Sequence, residues 1–183
     1  MSAIFLLGFM GCGKSAVARH LARDLRLPLI DLDAHIETHL GSSIAAFFAS
    51  HGEMAFREVE TEILRLVSAQ NAVISLGGGV PTQEINRDIL TQAAREGALV
   101  VYLQASASTL AARIRRAPGK RPLIDGEGKL DFDATLARVE ELMAQREGFY
   151  LQCANFSVYT DQLSIFEVAQ KIETVWRGQP DSR

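Results

Sequence analysis

The chain has 183 residues, 48% of them hydrophobic and 22% charged, with a formal net charge of −3. That length suits one domain with a substantial core, and the composition is ordinary for a soluble globular fold. The slight acidity argues against nucleic acid or an anionic membrane as a bulk partner, and no apolar run approaches the roughly 18 residues of a membrane-spanning helix. Two cysteines, Cys12 and Cys153, make neither a disulfide framework nor a zinc pattern, so a reducing, cytoplasmic setting is expected. Residues 3–12 are apolar, but they lack a basic leading segment and run straight into Gly-Lys-Ser, so they are not expected to be a signal peptide.

The first element is a short apolar run over residues 3–7, which reads as a buried strand. It opens into Gly8-Phe9-Met10-Gly11-Cys12-Gly13-Lys14-Ser15, a complete Gly-x-x-x-x-Gly-Lys-Ser loop. Glycines let consecutive backbone N–H groups curl around an anion. Lys14 then reaches the outer phosphates, and the Ser15 hydroxyl takes a magnesium position. The loop needs a helix behind it, and residues 15–26 supply one, with Val17, Leu21 and Leu25 spaced for one buried face.

A second apolar run, residues 28–32, leads into Asp31-Leu32-Asp33. Strand alternation sets both carboxylates on one side, near the phosphate loop. Asp33 also suits the N-cap of the following helix, but a cap needs only one acid. The functional reading gives Asp31 a magnesium or water-shell role. It makes Asp33 the acceptor of a hydroxyl's hydrogen bond or proton, as phosphoryl transfer to an alcohol requires. Helices follow near 33–40, 43–50 and 53–69. In the last, Phe56, Val59, Ile63 and Val67 form a buried stripe. Arg57 and Glu60, three apart, share a face and are either a surface ion pair or part of a site.

A third strand over residues 72–76 ends in Gly77-Gly78-Gly79. Three glycines there permit close approach by a ligand, or a sharp turn. This strand carries no acid of the Walker-B type, so the pair after the second strand is expected to take that role. A helix near 83–95, a strand over 98–103 and a helix over 107–116 come next. Residues 117–128 (Ala-Pro-Gly-Lys-Arg-Pro-Leu-Ile-Asp-Gly-Glu-Gly) hold two prolines, three glycines and four charges. That is the composition of a lid or of a solvated connection. As a lid, it would bring Lys120 and Arg121 to phosphate. A helix over 131–150 carries Arg146 and Tyr150 four apart, followed by a strand over 156–160 and a helix over 164–176. The four histidines have no metal-ligand spacing. Strands alternating with helices predict an α/β sandwich around a parallel sheet with right-handed crossovers, its ligands at the carboxyl ends of the strands.

Taken in order, Gly-Phe-Met-Gly-Cys-Gly-Lys-Ser (8–15), Asp-Leu-Asp (31–33), Phe-Arg-Glu-Val-Glu (56–60), Gly-Gly-Gly (77–79) and Arg-Pro-Leu (121–123), then Arg146 and Tyr150, resemble the shikimate kinase family over nearly the whole chain. The resemblance implies a single P-loop kinase domain over 1–183, a three-layer α/β/α fold with a five-stranded parallel sheet of order 2-3-1-4-5. It implies substrate-binding helices at about 34–61 and a lid at about 117–128. The implied reaction moves the γ-phosphoryl of ATP to the 3-hydroxyl of shikimate, on the way to chorismate and the aromatic amino acids. Magnesium is the implied cofactor, ATP and shikimate the partners, and a monomer the assembly.

By position, the resemblance assigns catalysis to Lys14, Asp33 and Arg121, and the metal to Ser15, with Asp31 the second metal candidate from its place after the second strand. It assigns the nucleotide to Gly11, Cys12, Gly13, Lys14, Ser15, Ala16, Arg121 and Gln162. Shikimate falls to Asp33, Arg57, Glu60, Gly78, Gly79 and Arg146, with Arg57 and Arg146 clamping its carboxylate and Glu60 holding Arg57. The family often has an arginine stacking on adenine, and Arg113, Arg115 and Arg116 all compete for that place. A gluconate kinase of the same architecture is the nearest rival, disfavoured by the paired arginines and the triple glycine. A GTP-dependent switch is a second rival, but neither Asn-Lys-x-Asp nor Thr-Lys-x-Asp occurs in the chain.

Overall fold

The computed structural model describes residues 3–116 and 131–178. The expected lid over 117–128, with Lys120 and Arg121, lies outside the described residues. Five strands, β1 (Ile4–Leu7), β2 (Leu29–Asp31), β3 (Val73–Ser75), β4 (Leu99–Gln104) and β5 (Phe156–Tyr159), form one sheet of order β2-β3-β1-β4-β5. Every neighbouring pair is parallel, which is the order the resemblance implies. β1 occupies the centre, with Phe5 facing Ile74 on one side and Val100 on the other.

The continuous apolar runs follow from burial on both faces of the sheet. Alternation along β1 sends Ile4 and Leu6 into one core with Val17, Leu21 and Ile172, and Phe5 and Leu7 into the other with Ile36, Ile63 and Leu90. The first layer holds α1 (Lys14–Leu25), α5 (Ala107–Arg116) and α7 (Ile165–Gly178). The second holds α2 (Leu32–Leu40), α3 (Ile44–Ser68) and α4 (Glu84–Arg95). The long α6 (Phe132–Cys153) serves both, placing Val139 and Leu142 in one core and Tyr150 and Cys153 in the other. A short 3₁₀ turn, Val80–Thr82, joins β3 to α4.

Two local differences from the sequence expectation have physical causes. β2 stops at Asp31, and Leu32, fully buried, already begins α2. Strand alternation therefore does not reach Asp33; the helix turn positions it instead. The helices expected at 43–50 and 53–69 run on as one helical element, capped by Ser43, whose hydroxyl accepts from the Ala46 N–H at 3.2 Å. The break between them survives as a single residue, Gly52, with φ 80° and ψ 175°. No atom outside its neighbours lies within 4 Å of the Cβ that an alanine would add there. The penalty for Gly52→Ala is therefore backbone strain alone, about 1–3 kcal/mol. The urea midpoint of that variant is expected to fall with the m value unchanged; an equal or higher midpoint would show that α3 tolerates a straight path.

Candidate active site

The loop after β1 bends through Gly8 (φ 145°), Gly11 (φ 83°) and Gly13 (φ 102°). At Gly8 the glycine is obligatory twice over: a Cβ would sit 2.7 Å from Cys12 Sγ and 2.7 Å from the Leu103 carbonyl oxygen. Phe9 and Cys12 are buried in the core and hold the loop down on the sheet. Gly13 caps α1 with backbone only, so the helix N-terminus presents main-chain N–H groups and a positive dipole end, a ready anion site. Lys14 lies back over the loop, its Nζ donating to the carbonyls of Gly8 at 2.7 Å and Phe9 at 3.1 Å. Ser15 is exposed at the first turn, and Gly11, Gly13 and Ala16 are half-buried around it.

Asp31, at the end of β2, is the N-cap of α2 and accepts from the Ala34 N–H at 3.3 Å. Asp33 is therefore free of capping. It is open to solvent on one side, while the cleft crowds it on the others, with its Oδ1 only 2.5 Å from where a Cβ on Gly77 would stand. That desolvation and the neighbouring Asp31 raise its carboxyl above the ordinary range, Lys14 and Arg57 pulling against them and Glu37 adding to them.

Each glycine of the triplet meets a different neighbour. Gly77 meets Asp33. At Gly78 a Cβ would lie 3.5 Å from the Gly8 carbonyl oxygen and 3.7 Å from the Tyr150 hydroxyl. At Gly79 it would lie 3.2 Å from both terminal nitrogens of Arg57.

Arg57 and Glu60 are a partly buried pair, not a surface one: Glu60 is buried and Arg57 half-buried. Arg57 Nη1 donates to both Glu60 oxygens at 3.0 and 2.9 Å, while Nε and Nη2 donate to the exposed Glu53 at 3.3 and 3.2 Å. Glu60 is 2% exposed. Burial pushes its carboxyl up, Arg57 draws it back, and the net direction is upward. Arg146 reaches the same cleft through Tyr150. Burial drives the Tyr150 hydroxyl well above its ordinary value, against the pull of the nearby Arg146 guanidinium. That hydroxyl donates to the Gly78 carbonyl at 2.7 Å.

At the far end of the sheet the three competing arginines separate. Arg113 turns inward, donating to Thr160 Oγ1 at 3.4 Å and to the Thr160 carbonyl at 3.2 Å, while Arg115 and Arg116 are exposed. Gln162 is exposed in the turn beyond β5, next to Asp161, whose carboxylate accepts from the Ser106 N–H at 3.0 Å.

The structure thus brings Lys14, Asp31, Asp33, Arg57, Glu60, Gly78, Gly79 and Arg146 to one end of the sheet, while Arg121 lies outside the described residues. Sequence reading missed Asn86 and Glu53. Asn86 is fully buried near the start of α4, four residues before the buried Leu90, and that spacing alone did not set it apart from a helix-capping asparagine.

Residues 10–176 match the model of the shikimate kinase family. The chain belongs to the shikimate kinase family. A shikimate kinase of Flavobacterium johnsoniae is 38% identical over 174 residues, covering 94% of this chain and 97% of that protein. One from Chlorobium chlorochromatii is 40% identical over 183 residues, covering 96% of this chain and 93% of that one. Among solved structures, shikimate kinase from Acinetobacter baumannii in complex with shikimate superposes with a TM-score of 0.83 at 32% identity, over 96% of this chain and 92% of that one.

For this member of the family, Tyr150→Phe removes only the hydroxyl, which bonds the Gly78 carbonyl and neighbours the Arg146 guanidinium. The ring still fills its place against Tyr102, 5.1 Å away between centroids, but the Gly78 carbonyl loses its donor. The expected loss is about 0.5–1.5 kcal/mol, read as a lower urea midpoint. An unchanged midpoint would mean that water replaces the hydroxyl without penalty.

Proposed function

We propose that this chain transfers the γ-phosphoryl group of ATP to shikimate, giving shikimate 3-phosphate and ADP. The observation that carries the reading is the convergence, at one end of the sheet, of the phosphate loop, the Asp33 carboxylate pressed toward Gly77 and the Arg57 guanidinium turned toward Gly79. One end can hold a triphosphate and the other a small carboxylate, with a base between them.

Binding ATP draws Lys14 off the carbonyls of Gly8 and Phe9 and onto the outer phosphates, where it spreads developing charge together with the N–H groups of the loop. The raised proton affinity of Asp33 suits it to accept the hydroxyl proton as the acceptor oxygen attacks phosphorus. Arg57 grips the substrate carboxylate by exchanging its outer bonds to Glu53, which is 67% exposed and releases it cheaply, while the bonds to Glu60 stay. Arg146 is the second arm of that clamp. Gly78 and Gly79 offer backbone, and α2 with the first half of α3 walls the substrate side. Arg113, drawn toward Thr160, is the arginine best suited to the adenine end, with Gln162 beside it. From its position in the sequence, Arg121 is assigned to the phosphates as part of a lid over 117–128.

The donor set fits a magnesium ion. An exposed hydroxyl, Ser15, and a carboxylate with only one oxygen engaged, Asp31, are hard oxygen ligands, and magnesium bound with a nucleotide needs only one or two from protein. Among the described residues no cluster of three or more potential ligands competes for a metal. When bound, the ion neutralises phosphate charge. The reading also takes the enzyme to be a cytoplasmic monomer. Cys12 and Cys153, both buried and unpaired, agree with a reducing compartment.

ADP release from Mg-ATP, followed with shikimate, quinate, gluconate and AMP as acceptors, tests the assignment; only shikimate is expected to sustain turnover. Asp33→Asn should lower kcat by about 10²–10⁴-fold with little change in the KM for ATP. Asp33 acts ionised, so activity falls as pH drops through its pKa. Because that pKa is raised, the acid limb of kcat/KM should lie above the ordinary aspartate value of about 3.9 and vanish in the asparagine variant. A limb that persists in the variant would assign it to another group.

Arg57→Lys and Arg146→Lys each keep the charge but lose the planar fork. A charge-assisted hydrogen bond is worth roughly 1.5–3 kcal/mol, so the KM for shikimate should rise about ten-fold or more while that for ATP hardly moves. An acceptor without the carboxylate should not distinguish the variants from wild type. If it does, or if ATP binding alone suffers, the clamp is wrong.

A further inference from the structure

Asn86 is completely buried near the start of α4 and touches neither the phosphate loop nor Asp33, yet its side chain is fully engaged. Its Nδ2 donates to Glu60 Oε2 at 3.4 Å and to the Val80 carbonyl at 3.1 Å, and its Oδ1 accepts from the Thr61 hydroxyl at 2.8 Å. The orientation of the amide is dictated, because a carboxylate and a backbone carbonyl can only accept, so the NH₂ must face them.

Both of those acceptors bear on Arg57. Glu60 Oε2, held from behind by Asn86, receives Arg57 Nη1 from the front at 2.9 Å. Val80 directly follows Gly79, the residue whose backbone lies against the Arg57 terminal nitrogens. One amide therefore fixes the anion that orients the guanidinium and the backbone it lies against.

We propose that Asn86 is a positioning residue for substrate recognition, setting the register of the Arg57 guanidinium against the Gly77–Gly79 segment. This rests on the reading of Arg57 as one arm of the carboxylate clamp. A residue needed only for packing would, when changed, weaken the fold and disturb both substrates alike. A residue acting through Arg57 disturbs the one substrate that Arg57 holds.

The test is steady-state kinetics of the full chain with both substrates varied. Asn86→Asp keeps the shape but turns the two donated hydrogen bonds into acceptor–acceptor contacts, one of them against Glu60. The KM for shikimate should rise about ten-fold or more, as expected for loss of a hydrogen bond to a charged group, while the KM for ATP stays within about two-fold. In an Arg57→Lys background the same change should have little further effect, since the group it acts through is already lost. Thr61→Val, at a half-buried position, removes the donor to Asn86 Oδ1; it should show a smaller rise with the same selectivity, and it carries the test if Asn86→Asp does not fold. The proposal is overturned if either variant moves both KM values together, or if the effects of Asn86→Asp and Arg57→Lys multiply in full. If Arg57→Lys alone leaves the shikimate KM unchanged, the clamp falls and this inference with it. If Arg57→Lys raises that KM and both Asn86→Asp and Thr61→Val leave it unaltered, only the positioning role is lost.

Discussion

A carboxylate at 2% exposure has to find a cation or give up its charge, and Glu60 finds Arg57 on its own helix. Much of the cleft follows from that necessity. Bonded to both Glu60 oxygens through Nη1, the guanidinium turns its two terminal nitrogens toward the chain after β3, and that chain can come so near only because Gly79 has no side chain. A buried ion pair adds little net stability, because desolvation offsets the attraction, but breaking one by removing a single partner costs about 3–5 kcal/mol. The pair is better understood as a locator than as a stabiliser. It fixes one planar cation at the edge of the core, with its Cζ 5.3 Å from the centre of the Phe56 ring.

The sheet order sets the second condition. With β1 between β3 and β4, the loops after β1 and β3 emerge side by side, and β2 lies next beyond β3. Three strand ends then deliver, in sequence across the sheet, the phosphate loop, the triple glycine and the acidic pair. The distance from a bound phosphate to a bound acceptor is thereby a property of strand spacing, about 4.8 Å per strand. The division of labour between the acids is equally mechanical. Asp31 ends the strand and caps the helix, so one of its oxygens is occupied; Asp33, a half-turn on, is pressed toward Gly77 and keeps its proton affinity high.

Most of the architecture was legible in the chain because a parallel sheet buried on both faces writes itself as short, unbroken apolar runs, and the strand bounds shifted by only a residue or two. The gap left at 51–52 between two helical patterns proved to be a real break at Gly52. The placement of residues was legible where they sit in a complete motif, as Gly8 and Lys14 do in the Gly-x-x-x-x-Gly-Lys-Ser loop, while the glycine triplet signalled only a close approach or a turn. It was not legible where the deciding fact is direction. Alternation misjudged how Asp33 is positioned, because a helix turn begins at Leu32. Three arginines on α5 looked equivalent until the helix rotated one of them, Arg113, toward Thr160. Asn86 was invisible because an asparagine near a helix start reads as a capping residue, and only its complete burial shows that it faces Glu60 instead.

The glycine triplet also links the two ends of the cleft. Gly77, Gly78 and Gly79 touch the proposed base, the phosphate loop and the proposed clamp in turn, within three residues of backbone. Tyr150 holds the middle of that segment through the Gly78 carbonyl and is itself neighbour to Arg146. Val80, at its far end, is held by Asn86. All three carbonyls of that segment are engaged: Gly77 accepts from the Val80 N–H at 3.2 Å, Gly78 from the Tyr150 hydroxyl at 2.7 Å, and Gly79 from the Thr82 N–H at 3.0 Å and its hydroxyl at 2.6 Å, so its peptide planes are fixed. Phosphoryl transfer asks for that fixity, because the in-line distance between donor and acceptor has to be kept.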